Sequence, residues 1–129
     1  MFVALPSALL AKLEAATGPS RELDAKIALA VGWRERNGMF GREWISPAGR
    51  MAELPPYTRS LDAAMTLVPE GCYWHVAAGK TRDSEPLYGA MIQEAAFDGA
   101  ELGAAENDVG PALALVIASI RARLAGQKE

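Results

Sequence analysis

The fold is decided by residues 55–71, which read Pro-Pro-Tyr-Thr-Arg-Ser-Leu-Asp-Ala-Ala-Met-Thr-Leu-Val-Pro-Glu-Gly. Thr58 or Ser60 can accept a hydrogen bond from a free N–H at a helix start, so we predict a short helix over 61–67. The Pro-Glu-Gly that follows favours a turn. The chain then enters an aromatic run, 72–78, whose composition is typical of a strand.

Two helices are predicted before this stretch. Residues 8–16 carry leucines on one side at helical spacing, and Thr-Gly-Pro ends the pattern. A second helix begins after Ser20, a suitable N-cap, with two acids in its first turn and Gly32 at its end. Because the link between these helices is short, we expect a helical hairpin.

Residues 33–56 carry the weakest pattern, because glycines and prolines interrupt it. One short strand is predicted there from three apolar residues, Phe40, Trp44 and Ile45. A nucleic-acid-binding face would need the arginines of this region and its flank, which are Arg34, Arg36, Arg42, Arg50 and Arg59. Since turns separate them, solvated loops are the preferred interpretation.

Two strands, over 72–78 and 87–95, are predicted to form a hairpin with an exposed polar turn at 79–86. The segment 97–107 is rich in glycine and acids, and we predict a loop there.

The last helix has the clearest pattern. Asp108 or Gly110 can cap it, and Pro111 suits its first turn because that position needs no N–H donor. Its apolar residues recur at helical spacing and form a broad stripe: Leu113, Val116, Ile117, Ile120 and Leu124. We expect the stripe to pack on the sheet, with a dimer contact as the alternative. The element order is α-α-(β)-α-β-β-α, which predicts an α+β fold, an α/β sandwich of helices on a small, mainly antiparallel sheet.

Composition is that of an ordinary globular protein. The 129 residues suit one domain, 1–129, with 50% hydrophobic and 22% charged residues. The longest apolar run is far shorter than the roughly 20 residues of a membrane helix, and the start lacks the basic region of a signal peptide. A single cysteine fits a reducing compartment. We therefore expect a soluble cytoplasmic protein without a membrane partner.

The charge is unevenly distributed. Net charge is −3, and residues 83–108 hold seven of the 16 acids and none of the 13 basic residues. The acids are Asp83, Glu85, Glu94, Asp98, Glu101, Glu106 and Asp108. This segment could bind a divalent cation or a basic partner, but it lacks a calcium-loop motif, and a solvated acidic loop is the preferred interpretation.

Residues 57–71 resemble the signature of a small bacteriophage and prophage family, the phage "ABA sandwich" domain, which reads roughly Tyr-Thr-x-Ser-Leu-Asp-Ala-Ala-x-x-Leu-Val-Pro-Glu-Gly-Trp. The family's Arg-Glu-Leu-Asp-x-x-Ile-Ala is matched at 21–28, and its Thr-Pro-Ala-Leu-Ala-Leu at 110–115. Cys72 stands in place of Trp, and Gly110 in place of Thr. The resemblance implies an α/β sandwich in a bacterial host cytoplasm or virion, and it supplies no catalytic residue or cofactor.

The chain offers little for catalysis. Cys72 and His75 are the only cysteine and histidine, and their odd spacing places them on opposite faces of a strand. One Cys and one His do not suggest a zinc site. No phosphate-binding or dinucleotide-binding glycine motif is present, and no nucleophile elbow. We therefore assign no catalytic, metal-binding or cofactor-binding residue, and expect no cofactor.

A partner surface is the remaining candidate site. Tyr73 and His75 share one face of the predicted strand, and Tyr88 is expected nearby. With Asp98 and Glu101 they form the candidate partner surface, although aromatics on strands are more commonly covered by a helix.

The function predicted from these observations is protein interaction without catalysis. The partner could be a virion component, a host factor such as a defence protein, or a second copy of the chain. An enzyme that uses carboxylates or a divalent cation is the first alternative. A nucleic-acid-binding accessory protein is the second.

Overall fold

The computed structural model describes residues 7–39, 41–94, 101–107 and 109–127. Within these ranges, four helices, a two-stranded sheet and a three-stranded sheet, both antiparallel, form a mixed α+β fold. This confirms the predicted fold class. The elements are α1 (Ser7–Glu14), α2 (Arg21–Ala30), β1 (Arg34–Gly38), β2 (Gly41–Ile45), α3 (Leu61–Met65), β3 (Cys72–Lys80), β4 (Pro86–Glu94), β5 (Glu101–Asn107) and α4 (Pro111–Gln127).

The helix starts predicted from capping residues are confirmed. The Ser20 hydroxyl accepts a hydrogen bond from the N–H of Leu23, and the Ser60 hydroxyl accepts one from Ala63. Ser60, rather than Thr58, is therefore the cap of α3. Gly32 follows α2 with a φ of 106°, a left-handed conformation that glycine adopts without strain.

Helix α4 is the centre of the core. Every residue from 112 to 120 is buried, because the helix contacts all three strands of the larger sheet and also α1 and α3. The predicted stripe describes only one side of it, since a helix enclosed by other elements is apolar all round. The Gly110 carbonyl accepts the first helical hydrogen bond, from Ala114, and Pro111 lies in the first turn as predicted. The other predicted cap, Asp108, lies outside the described residues.

Strand β5 occupies residues 101–107 of the segment predicted to be a loop, so the prediction was wrong there, and residues 97–100 lie outside the described residues. Its buried positions are Gly103 and Ala105, which are too small to produce an apolar alternation in the sequence. The small size is required by α4. A Cβ at Gly103 would collide with the Ala118 carbonyl oxygen and lie 2.9 Å from the Ala122 nitrogen.

Strands β1 and β2 form a hairpin where one short strand was predicted. The sequence of β1, Arg-Glu-Arg-Asn-Gly, is polar on both faces and gives no strand signal. Oppositely charged side chains join the two strands, with Arg36 2.8 Å from Glu43 and Arg42 3.7 Å from Glu35.

The three-stranded sheet runs in the order β3-β4-β5. Its register is regular except for a bulge between Ile92 and Gln93, beyond which Gln93 pairs with Glu101. Among the described residues, no helix combines the length and the apolar character that a membrane span requires.

Candidate partner-binding surface

One face of the three-stranded sheet packs on α4, and the opposite face is open. Along β3 the residues alternate, so that Tyr73, His75 and Ala77 are exposed. The residues that alternate with them are partly buried, and these are Cys72, Trp74 and Val76. The alternation follows from strand geometry, in which successive side chains point to opposite faces.

Three cross-strand rows make up the open face, which we call the outer face. Read from β3 across β4 to β5, the rows are Tyr73–Gln93–Glu101, His75–Met91–Ala104 and Ala77–Gly89–Glu106. The β3 side therefore carries an aromatic ring and an imidazole, and the β5 side carries two carboxylates. No Lys or Arg belongs to these rows.

The outer face is concave. A cavity of about 400 Å³ lies over it, with Ala77, Gly89 and Ala104 as a floor of small side chains. His75, Met91 and Glu106 contribute to its lining. An open concavity of this kind suits a protruding side chain of a protein partner, because it does not enclose a substrate or exclude water.

Arg121 lines the cavity from α4. Its guanidinium donates hydrogen bonds to the backbone carbonyl of Ala104 in β5 and, at 2.9 Å, to the Glu14 carboxylate. Both partners hold the side chain in place, and Glu14 offsets its charge. Arg121 therefore forms part of the rim of the cavity, in a fixed position and with its positive charge balanced by Glu14.

Tyr73 is the most prominent side chain of the outer face. It is 66% exposed, although a tyrosine ring is largely apolar. Tyrosine is also one of the residues that most often dominate the binding energy of protein interfaces. An exposed ring beside a concavity is the arrangement expected of an interface anchor.

The structure brings together some of the residues predicted for this surface and separates others. Tyr73 and His75 lie together, and exposed Glu101 lies in the row of Tyr73. Tyr88 lies on the opposite face of the sheet. It pairs with Ala78, next to the outer-face pair of Ala77 and Gly89, and it packs against the core, partly buried. Its proposed place beside Tyr73 was wrong, because the register could not be read from the sequence. Asp98 lies outside the described residues.

The sequence pattern does not predict that Met91, Glu106 or Arg121 belongs to this surface. The first two reach the surface through the β4 and β5 register, and β5 was not predicted at all. The predicted separation of Cys72 and His75 on opposite faces is confirmed. In the described ranges, no three His, Cys, Asp or Glu side chains lie close enough together to hold a metal ion.

A second polar cluster is buried between α2 and the chain leading into α3. Asp24 is 1% exposed, and its Oδ1 accepts hydrogen bonds of 2.8 Å from both the N–H and the hydroxyl of Thr58. Arg21 donates to Asp24 Oδ2 and to the Leu54 carbonyl, both at 2.9 Å. We call this the Asp24 cluster. Each carboxylate oxygen is satisfied, as a buried charge requires.

Tyr57 adjoins the Asp24 cluster and is 2% exposed. Burial raises the pKa of its phenol above the ordinary 10.0, an effect that a hydrogen bond with Trp33 and the nearby charge of Arg123 oppose and Asp24 reinforces. Burial likewise lowers the pKa of Arg123, with Tyr57 opposing it. Arg123 donates a 2.9 Å hydrogen bond to the Leu67 carbonyl, so it ties α4 to the end of the α3 segment.

The two polar regions differ in what they can do. The Asp24 carboxylate is closed to ligands, and the hydrogen bonds of the cluster join segments of the chain to one another. The outer face is open and presents an aromatic anchor, a concavity and two carboxylates. No protein-family model, curated protein or solved structure matches this chain.

Proposed function

We propose that this protein is a non-enzymatic interaction module that binds a protein partner through the outer face. The observation that carries the proposal is the exposure of Tyr73 beside His75 and the concavity, on a sheet whose other face is packed against α4. Such a ring loses little conformational freedom on binding and buries a large apolar area.

The charge of the outer face indicates the chemistry of the partner. Glu101 and Glu106 end two of its rows on the β5 side, and both are exposed. Arg121 at the rim is paired with Glu14. A partner with an apolar recess for Tyr73 and basic groups facing the two glutamates is therefore the best match.

A phage or prophage setting is the second part of the proposal, with a virion component or a host protein as partner in the bacterial cytoplasm. Its support is the resemblance of three segments to the phage "ABA sandwich" signature. Two of those segments, 21–28 and 57–71, contribute the side chains that meet in the Asp24 cluster. The resembling residues therefore include those whose side chains join α2 to the segment before α3.

The two alternatives have less support. Arg36 and Arg42 are each within 4 Å of a glutamate on the neighbouring strand, which reduces their availability for phosphates. The acids of the proposed enzyme are spread out: Asp83 and Glu85 are exposed at the β3–β4 turn, and Glu106 is exposed on β5. No described pair of carboxylates converges on the concavity.

Site-specific photocrosslinking tests the proposal. A photoreactive phenylalanine analogue at position 73 should link a discrete partner in lysate of infected host cells, whereas the same residue at Met39 should not. Met39 is the matched control because it is 88% exposed but lies on the β1–β2 hairpin. The partner is then identified and purified for measurement of its affinity.

With the purified partner, Tyr73→Ala should weaken binding by about 30-fold, the effect of an interface hot spot. Met39→Ala should leave the affinity unchanged. Equal affinity for wild type and Tyr73→Ala, or a loss confined to Met39→Ala, would show that the outer face is not the binding surface.

A further inference from the structure

The two edges of the three-stranded sheet differ. At the β5 edge, the Arg121 guanidinium donates a hydrogen bond to the Ala104 carbonyl, so this carbonyl is not free to pair with another strand. Strand β3 forms the other edge, and among the described elements it pairs only with β4. An unpaired edge is a template for another strand, and proteins commonly block such edges with charged side chains. Among the described residues, one edge is blocked and no strand pairs with the other.

The hairpin turn identifies which backbone groups of β3 point outward. The N–H of Thr81 donates to the Glu85 carbonyl, so these two residues face each other through hydrogen bonds. In an antiparallel pair such residues alternate with residues whose N–H and C=O point away. Along β3 the outward groups are therefore those of Trp74, Val76 and Ala78. The same alternation, carried across β4, turns the Ala104 carbonyl outward, where Arg121 binds it.

The sequence of β3 is complementary to itself in the antiparallel direction. It reads Cys-Tyr-Trp-His-Val-Ala-Ala-Gly-Lys, with bulky residues in its first half and small ones in its second. A second β3 laid antiparallel and centred on Val76 overlaps along the whole strand. The facing pairs are then Tyr73 with Gly79, Trp74 with Ala78, His75 with Ala77, and Val76 with Val76. Each large side chain meets a small one.

Charge supports the same register. It sets Lys80 across from Cys72 of the second copy, so that the turn residues Arg82 and Glu70 of the two copies both lie just beyond the same strand end, and the two-fold axis repeats this arrangement at the other end. Arg82 and Glu70 are both exposed in the single chain. Opposite charges at both ends favour this alignment over registers that are shifted along the edge.

We infer that the β3 edge is a self-association site at which two copies of this chain pair antiparallel, joining their three-stranded sheets into one. This contact uses backbone groups of the edge and goes beyond the partner binding proposed for the outer face. The assembly stops at two copies, because pairing uses both β3 edges and Arg121 blocks the β5 edges. It also joins the two outer faces into one continuous surface.

The mass of the purified full chain in solution tests the inference. Light scattering or sedimentation equilibrium across a concentration series should show a dimer of twice 13.7 kDa that dissociates on dilution. Ala78→Pro removes one outward N–H from each copy, and an edge strand tolerates proline where its N–H faces solvent. The dimer should weaken by about tenfold or more. Ala78→Ser, which keeps the N–H, should dimerise like wild type.

A second variant keeps the inference falsifiable if Ala78→Pro does not fold. The double variant His75→Lys, Ala77→Lys sets two lysines directly opposite each other at both ends of the paired strands and should prevent pairing, because like charges in facing positions repel. Both positions are exposed in the single chain. The double variant His75→Lys, Ala77→Glu places opposite charges at the same positions; it is the matched control and should dimerise. Circular dichroism establishes that each variant is folded before its mass is measured.

Hydrogen exchange assigns the contact to residues. The amides of Trp74, Val76 and Ala78 should be protected at high concentration and exchange faster on dilution, while those of Tyr73, His75 and Ala77 stay protected throughout. A monomer at every concentration overturns the inference. So does a dimer that persists in both Ala78→Pro and the double variant His75→Lys, Ala77→Lys, or one that leaves the three outward amides unprotected. A wild-type chain that stays monomeric but still crosslinks its partner through position 73 would overturn this inference alone and leave the proposed function standing.

Discussion

The Asp24 cluster and the outer face differ in how clearly the sequence marks their residues. The Asp24 cluster is assembled from conspicuous residues, an acid in the first turn of α2 and a polar residue just before α3, and both carboxylate oxygens of Asp24 are used within the fold. The outer face is built from residues that no sequence motif marks. Its floor is made of alanine and glycine, and Tyr73 lies at its margin. Residues that stand out in a sequence can serve folding, while a surface able to bind a partner is left to residues with no motif.

The largest effect on stability should come from Asp24→Ala. It leaves the N–H of Thr58 and one side of Arg21 without an acceptor, and leaves the Thr58 hydroxyl only the Ser20 carbonyl at 3.3 Å, so we expect a loss of about 3 kcal/mol in the free energy of unfolding. Urea denaturation measures it. Glu22→Ala, which removes an exposed carboxylate of the same helix 3.9 Å from Lys26, should change stability by less than about 0.5 kcal/mol. Equal losses would mean that the Asp24 cluster does not hold α2 to the α3 segment.

A smaller loss is expected from Gly103→Ala, because the new methyl group must displace the α4 backbone at Ala118 and Ala122. Overpacking of this kind typically costs about 1–3 kcal/mol. Gly89→Ala adds the same group to the neighbouring strand on the outer face, where the nearest atom is 3.8 Å away. Thermal unfolding should separate the two variants clearly, and similar melting temperatures would contradict the close approach of α4 to β5.

Alkaline pH should weaken the region around Tyr57. Since burial raises the pKa of this phenol, the unfolded chain ionises first, and the stabilisation is complete below the ordinary pKa of 10.0. It is lost as pH rises through the higher pKa of the folded state. The free energy of unfolding of wild type should therefore fall more steeply above about pH 10 than that of Tyr57→Phe. Tyr73→Phe, which removes an exposed phenol, is the matched control, and parallel curves for wild type and Tyr57→Phe would contradict the prediction.

The smallest effect on stability, and the largest on function, is expected from Tyr73→Ala. The ring is mostly exposed, so its loss should change the free energy of unfolding by less than about 0.5 kcal/mol. Binding of the purified partner should fall as described above. Chemical denaturation and a binding titration on the same preparation check both halves, and a strongly destabilised variant would place Tyr73 in the fold rather than in the interface.

The parts of the fold that depend on local chemistry could be predicted from the sequence. Ser20 and Ser60 mark their helices because a cap bonds an N–H three residues away. Strand β5 could not be predicted, because Gly103 has to be small to fit against the backbone of α4, which comes later in the chain. The face on which Tyr88 lies depends on the register of β4. The burial of Asp24 depends on its hydrogen bonds with Thr58, 34 residues away.

The outer face could be predicted only in part, for a similar reason. Tyr73 and His75 share a face because alternation along one strand is a local property. Their neighbours Met91 and Glu106 join them through strand pairing, which the amino-acid pattern of β4 and β5 does not encode strongly. The charge on the β5 side of the surface was visible only as an excess of acids in that segment.

The bulge between Ile92 and Gln93 adds one residue to β5 opposite the end of β4. Because of it, Gln93 faces Glu101, whereas an unbroken ladder would set Leu102 against it. A chain that lacks Glu101 could close the ladder with Leu102 against Gln93, which would replace a carboxylate by an aliphatic group at the margin of the surface, with every other side chain retained. Insertions and deletions at the bulge can therefore change which partners the surface binds, without any substitution in the strands.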